Sequence, residues 1–165
     1  MDWKTFLTVF HVIGTALGVG GATFAEFFYI KSVRDGAVDP MEDGVLKITF
    51  YVLRIGMIFL VLSGFGFLLF YRLTGQEASL YNPKFLAKLT IILILFLGAI
   101  FWQAKKVPLW LGGAGSLTSW YAALILGVWR GLEASYLNIM LFYFLAVLFI
   151  AFLLGILRKL AGIKP

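Results

Sequence analysis

Five mostly apolar stretches, at roughly 5–30, 46–71, 85–104, 109–129 and 136–157, set the terms on which this 165-residue chain can fold. Each is close to the ~20 residues that a helix needs to cross about 30 Å of hydrocarbon. The expected fold is therefore all-α: a polytopic transmembrane bundle of about five helices, multi-pass in the cell membrane. Composition agrees, with 62% hydrophobic and 13% charged residues, where a soluble domain carries about 25% charged residues to face water. Too few charges remain to coat a globule, so lipid must be part of the solvent. The length leaves one membrane domain, 1–165, with no repeat, low-complexity tract or linker.

Local signals place the helix starts. Asp2 can cap the first helix. Asp39-Pro40-Met41-Glu42 sets a capping aspartate before a proline, with glutamate at the third helical position, so the second helix is expected from near Pro40. Asn82-Pro83 repeats that signal for the third, and Ser135 can cap the fifth. The fourth stretch has two readings. Val107-Pro108 followed by Gly112-Gly113-Ala114-Gly115-Ser116 reads as a turn or re-entrant piece with a helix from near Ser116. That gives four full crossings plus one broken segment as the alternative to five.

With five crossings, one side holds Lys4, Arg72, Lys84, Lys88 and Arg130. The other holds Lys31, Arg34, Lys47, Lys105, Lys106, Arg158, Lys159 and Lys164. The excess of cations puts the N-terminus outside and the C-terminus in the cytoplasm. Thr23-Phe24-Ala25 loosely fits a signal cleavage site, but the apolar run continues through Phe27, Phe28, Tyr29 and Ile30, so the first segment is expected to stay as a helix.

Several chemistries are excluded. The chain has no cysteine, which removes disulfides, thiolate zinc and iron–sulfur clusters. The net charge of +6 is spread over connections and the C-terminus, as anionic headgroups require, and does not point to nucleic acid. The acidic run Asp35, Asp39, Glu42 and Asp43 lacks the alternating spacing of a calcium loop. Glycines 14 to 21 lie mid-helix with no Lys-Ser/Thr after them, so they form no phosphate loop. No metal site is expected.

Ionisable groups at membrane depth cost about 2.5–3.5 kcal/mol each on insertion, which makes them functional candidates. Four qualify: His11, Glu26, Arg54 and Lys88. At helical spacing Thr8, His11, Thr15, Gly18, Ala22 and Glu26 share one stripe of the first helix, with Gly14 and Gly21 at its edge. Such a stripe should face the bundle, where small residues admit a close neighbour or a flat ligand. By depth, His11 and Lys88 lie toward the outer surface. Glu26 and Arg54 lie toward the inner one and form the natural intramembrane ion pair, serving either helix register or a proton or ion path. His11, the single histidine, can ligate haem iron, carry protons or hydrogen-bond a carbonyl. Lys88 can serve a site or snorkel to the interface with Lys84. Trp120 and Tyr121 read as packing or interface residues, and the apolar fifth helix as a face for lipid or a partner.

Trp3-Lys4, His11 with its glycine-rich sequel, and Phe27-Phe28-Tyr29 resemble the first helix of the HemJ-type membrane protoporphyrinogen oxidases and of the copper-resistance-D-type membrane domains. Pro83-Lys84-Phe85-Leu86-Ala87-Lys88-Leu89 resembles the start of the third HemJ-type helix. The resemblance implies a haem or other tetrapyrrole within the bundle, with His11 and Lys88 as the functional polar residues. Lys88 is then the expected catalytic residue, and Thr15 and Gly18, on the stripe of His11, are expected beside it in the cofactor site. Gly18-Val19-Gly20-Gly21-Ala22-Thr23 and Ser119-Trp120-Tyr121 are similar to small uncharacterised bacterial multi-pass proteins, and that similarity brings no function. Three expectations follow: a tetrapyrrole-binding or redox protein, an accessory or oligomeric subunit docking through 136–157, or a small transporter or channel.

Overall fold

The computed structural model describes residues 2–34, 38–104, 106, 109–129 and 131–162. Asp35, Lys105, Val107, Pro108, Arg130 and Lys164 of the sequence reading lie outside them. Each expected cap is in place. The Asp2 carboxylate accepts from the Thr5 amide at 2.6 Å and opens α1 (Trp3–Ser32). Hydrogen bonds from Thr5 hold that carboxyl below the usual aspartate range, so the cap persists at neutral pH and is lost only as pH falls through the lowered value. Asp39 and Glu42 form a reciprocal capping box at the head of α2 (Pro40–Leu73), at 2.8 and 3.1 Å. At its far end Gly75, with φ of 70°, takes the left-handed conformation that lets Gln76 donate back to the Tyr71 carbonyl at 2.9 Å. Asn82 caps α3 (Pro83–Gln103) and Ser135 caps α5 (Tyr136–Leu160).

Between α3 and α5 the chain forms one continuous helix, α4 (Leu109–Val128). The expected break at Gly112–Ser116 is therefore absent, and the helix is already running at Leu109 rather than from near Ser116. Packing explains why the glycines are helical. A side chain at Gly112 would come 3.3 Å from the Trp102 indole of α3, and one at Gly113 would run into the Glu26 carboxylate of α1. These glycines admit neighbours and the helix absorbs their propensity cost of about 1 kcal/mol each. Among the described residues five helices are long and apolar enough to cross a membrane, and none forms a strand.

α1 lies along α2 and carries the closest helix pairing, while α4 sits between α1 on one side and α3 and α5 on the other. Gly14 and Gly56 set the α1–α2 approach: a Cβ on Gly14 would stand 2.8 Å from the Leu60 amide nitrogen, and one on Gly56 2.9 Å from the Gly14 carbonyl. Trp120 of α4, 1% exposed, is the hub of a core with Ala22, Leu60 and Leu95 from the other helices. A second core joins Ala87 and Ile91 of α3, Leu126 of α4 and Ile139, Met140 and Tyr143 of α5. The outer surface is inverted relative to a soluble protein, with Phe24 70% and Phe142 71% exposed. Total accessible surface is 10642 Å², against about 8,200 Å² for a soluble protein of this mass.

Candidate functional site

Odd-numbered helices run the same way, so the N-terminal parts of α1 and α3 meet at one end of the bundle with the C-terminal part of α2. His11 projects from α1 toward α2, where its Nδ1 lies 3.0 Å from the Ser63 hydroxyl. Ser63 is buried, and its oxygen lies 2.5 Å from the Phe59 carbonyl and 3.1 Å from that of Leu60. A serine has one hydroxyl proton. Spent on its own helix, that proton leaves the oxygen only its lone pairs for His11. The imidazole therefore carries its proton on Nδ1 and donates to Ser63, and Nε2 keeps a free lone pair. Phe67 meets the ring edge-on at 5.7 Å, and an aromatic chain continues through Tyr71 to Phe85 of α3.

The same rule orients the other polar contacts between helices. Thr23, Thr90 and Ser119 each donate to the carbonyl four residues back. Each then accepts from a tyrosine: Tyr121 at 3.1 Å, Tyr136 at 3.1 Å and Tyr143 at 2.9 Å. These bonds pin α1 to α4, α3 to α5 and α4 to α5. In this setting His11–Ser63 is the α1–α2 member of the set, and it differs in one respect. A tyrosine donor has no further nitrogen to offer, whereas His11 retains Nε2. With one histidine in the chain, ¹⁵N spectra of the imidazole are free of overlap. They are expected to show a protonated Nδ1 and an unprotonated Nε2 near neutral pH, and Ser63→Ala is expected to mix the tautomers.

Lys88 is half-buried in the first turns of α3, at the same end of the bundle as His11. Its Nζ lies beside the last turn of α4, 3.9 Å from the Cβ position of Gly127. Lys84, one turn earlier, donates to the Trp129 carbonyl just past that helix, where a cation meets the negative end of the helix dipole. The two lysines separate in role: Lys84 caps α4, while Lys88 sits deeper on the His11 side.

Two other expected site residues are otherwise engaged. Thr15 is buried and its hydroxyl donates to the His11 carbonyl at 2.8 Å. The open side of Gly18, expected for a flat ligand, is filled by the Trp120 indole. The neighbour that the small residue admits is part of the chain itself.

At the opposite end the ion pair joins Glu26 to Arg158 of α5, not to Arg54. Arg54 is exposed on the outer face of α2, its guanidinium 5.4 Å over the Tyr51 ring. The reason is rotational. Gly56 and Leu53 face α1, which turns Arg54 outward. Glu26 and Arg158 have side chains only 10% and 13% exposed, Arg158 lies 5.6 Å over the Tyr29 ring, and Gly113 leaves the space they occupy. The pair thus ties α1, α4 and α5. Parity of direction carried the signal: both residues lie near the C-terminal ends of helices that run the same way. Arg158 was hidden among the terminal cations.

The chain matches no family model, no curated protein and no solved structure. Among the described residues no group of three or more His, Asp or Glu side chains is placed to hold a metal ion. What the His11 end offers chemically is one imidazole lone pair, one ammonium and an aromatic wall. The Glu26 end offers a neutralised pair with a structural role.

Proposed function

We propose that this multi-pass membrane protein binds a haem-type tetrapyrrole at the His11 end of the bundle. One observation supports it most: the Nδ1 contact with Ser63 leaves Nε2 as the coordinating atom. A hydrogen bond on the far nitrogen is the arrangement that orients an imidazole ligand and raises its basicity. Lys88 supplies a cation for a propionate, and Phe67, Tyr71 and Phe85 supply ring faces. Thr15 and Gly18 stay out of the ligand set, for the reasons of geometry above. With a single histidine, each chain would supply one imidazole to the group. Held by His11, with Lys88 and the aromatic rings around it, the group would supply redox or ligand-binding chemistry.

Visible spectroscopy of the protein in mild detergent, titrated with hemin, tests the reading. A Soret band that saturates at one haem per chain is expected. It should be lost in His11→Ala and weakened up to about fivefold in affinity in Lys88→Gln, since one charge–charge contact carries about that much. Absence of a saturable band, or a band indifferent to His11→Ala, overturns it.

A further inference from the structure

The ends of α1 and α5 carry a second feature that the tetrapyrrole reading does not use. Between them lies an open groove of about 410 Å³, lined by Phe27, Ile30, Lys31, Arg34, Leu160 and Ala161. Two cations line it, and no carboxylate does among the described residues. Glu26, in the last two turns of α1, is paired with Arg158. The groove is also graded. Phe27 and Ile30 lie toward the membrane interior, Lys31 is in the last turn of α1, and Arg34 lies just past the helix. Apolar floor below and two cations above is the profile of a phospholipid at the interface, with acyl chain inward and headgroup outward.

We propose that this groove holds an anionic phospholipid, its phosphodiester between Lys31 and Arg34 and one acyl chain along Phe27, Ile30 and Leu160. The lipid comes from the leaflet that faces the C-terminal end of α1. It would bridge α1 and α5 just beyond the Glu26–Arg158 pair, extending the same helix junction into the headgroup layer.

The test is native mass spectrometry of the full chain in detergent, with phosphatidylglycerol and phosphatidylcholine of matched chains in competition. Preferential retention of one phosphatidylglycerol is expected. Lys31→Gln with Arg34→Gln should reduce that retention about tenfold to thirtyfold, the scale of two interfacial cations. The charge-keeping pair Lys31→Arg with Arg34→Lys should preserve it. Lys4→Gln with Arg72→Gln, at the opposite end, should leave it unchanged and so separates a site from general surface charge. Glycerol 3-phosphate added in excess should not displace the lipid; displacement would mean that a free phosphate group suffices and would overturn the lipid assignment. Equal retention of the two lipids, or unchanged retention in Lys31→Gln with Arg34→Gln, overturns the site. None of these readouts involves haem, so the outcome is independent of His11.

Discussion

Replacing Glu26 with leucine is expected to destabilise the bundle by about 3–5 kcal/mol, because it leaves the Arg158 guanidinium buried without its counter-charge. The residue is held on three sides: by Glu26, by the Tyr29 ring and by the α4 backbone at Gly113. Equilibrium unfolding in mixed micelles measures the loss. Removing both charges, Glu26→Leu with Arg158→Leu, should recover most of it, since two well-packed apolar side chains replace a buried pair at little net cost. Arg54→Leu separates the two candidate partners. Its guanidinium is exposed and lies over the Tyr51 ring, so the change should stay within about 0.5 kcal/mol. A loss for Arg54→Leu as large as that for Glu26→Leu would mean that the pairing is wrong.

That contrast shows what the sequence could and could not specify. Capping chemistry is local, so Asp2, Asp39, Asn82 and Ser135 could be read directly and the structure uses all four. The inward stripe of α1 was legible in part for the same reason: helical spacing puts Thr15, Gly18, Ala22 and Glu26 on one buried face with Gly14 and Gly21 at its edge, whereas Thr8, expected on that stripe, is exposed. Which helix meets that stripe is a long-range question. Depth selected Arg54 for Glu26, but depth says nothing about the rotation of α2, which Gly56 fixes by facing α1. The turn expected at Gly112–Ser116 failed through the same gap. Glycine has a low intrinsic preference for helix, and only the neighbours Trp102, Glu26 and Arg158 show why glycine is needed within one. Ser63 escaped notice because a lone serine in an apolar run has no periodic signature. Its importance appears only once His11 lies opposite.

Gly56→Leu and Gly18→Leu are expected to have the other large effect, through sterics rather than charge. At Gly56 the obstruction is backbone, the Gly14 carbonyl at 2.9 Å and the Gly18 amide nitrogen at 3.0 Å from a new Cβ. Backbone cannot change rotamer, so α1 and α2 must separate. At Gly18 the obstruction is the buried Trp120 indole, which has core on its other sides and cannot swing away. Each substitution should cost at least the upper end of the ~1–3 kcal/mol typical of overpacking. Gly20→Leu is the matched control: it adds the same side chain to the same helix where nothing lies within 4 Å, and should melt like the parent protein. The two disruptive variants also differ from each other in a way that reports on the site. Gly56→Leu pushes apart the helices that carry His11 and Ser63, so it should mix the imidazole tautomers in ¹⁵N spectra as Ser63→Ala does. Gly18→Leu strains the α1–α4 contact and should leave that signal in place. Identical spectra for the two would detach the His11 tautomer from the α1–α2 approach, and with it the reason that Nε2 is free.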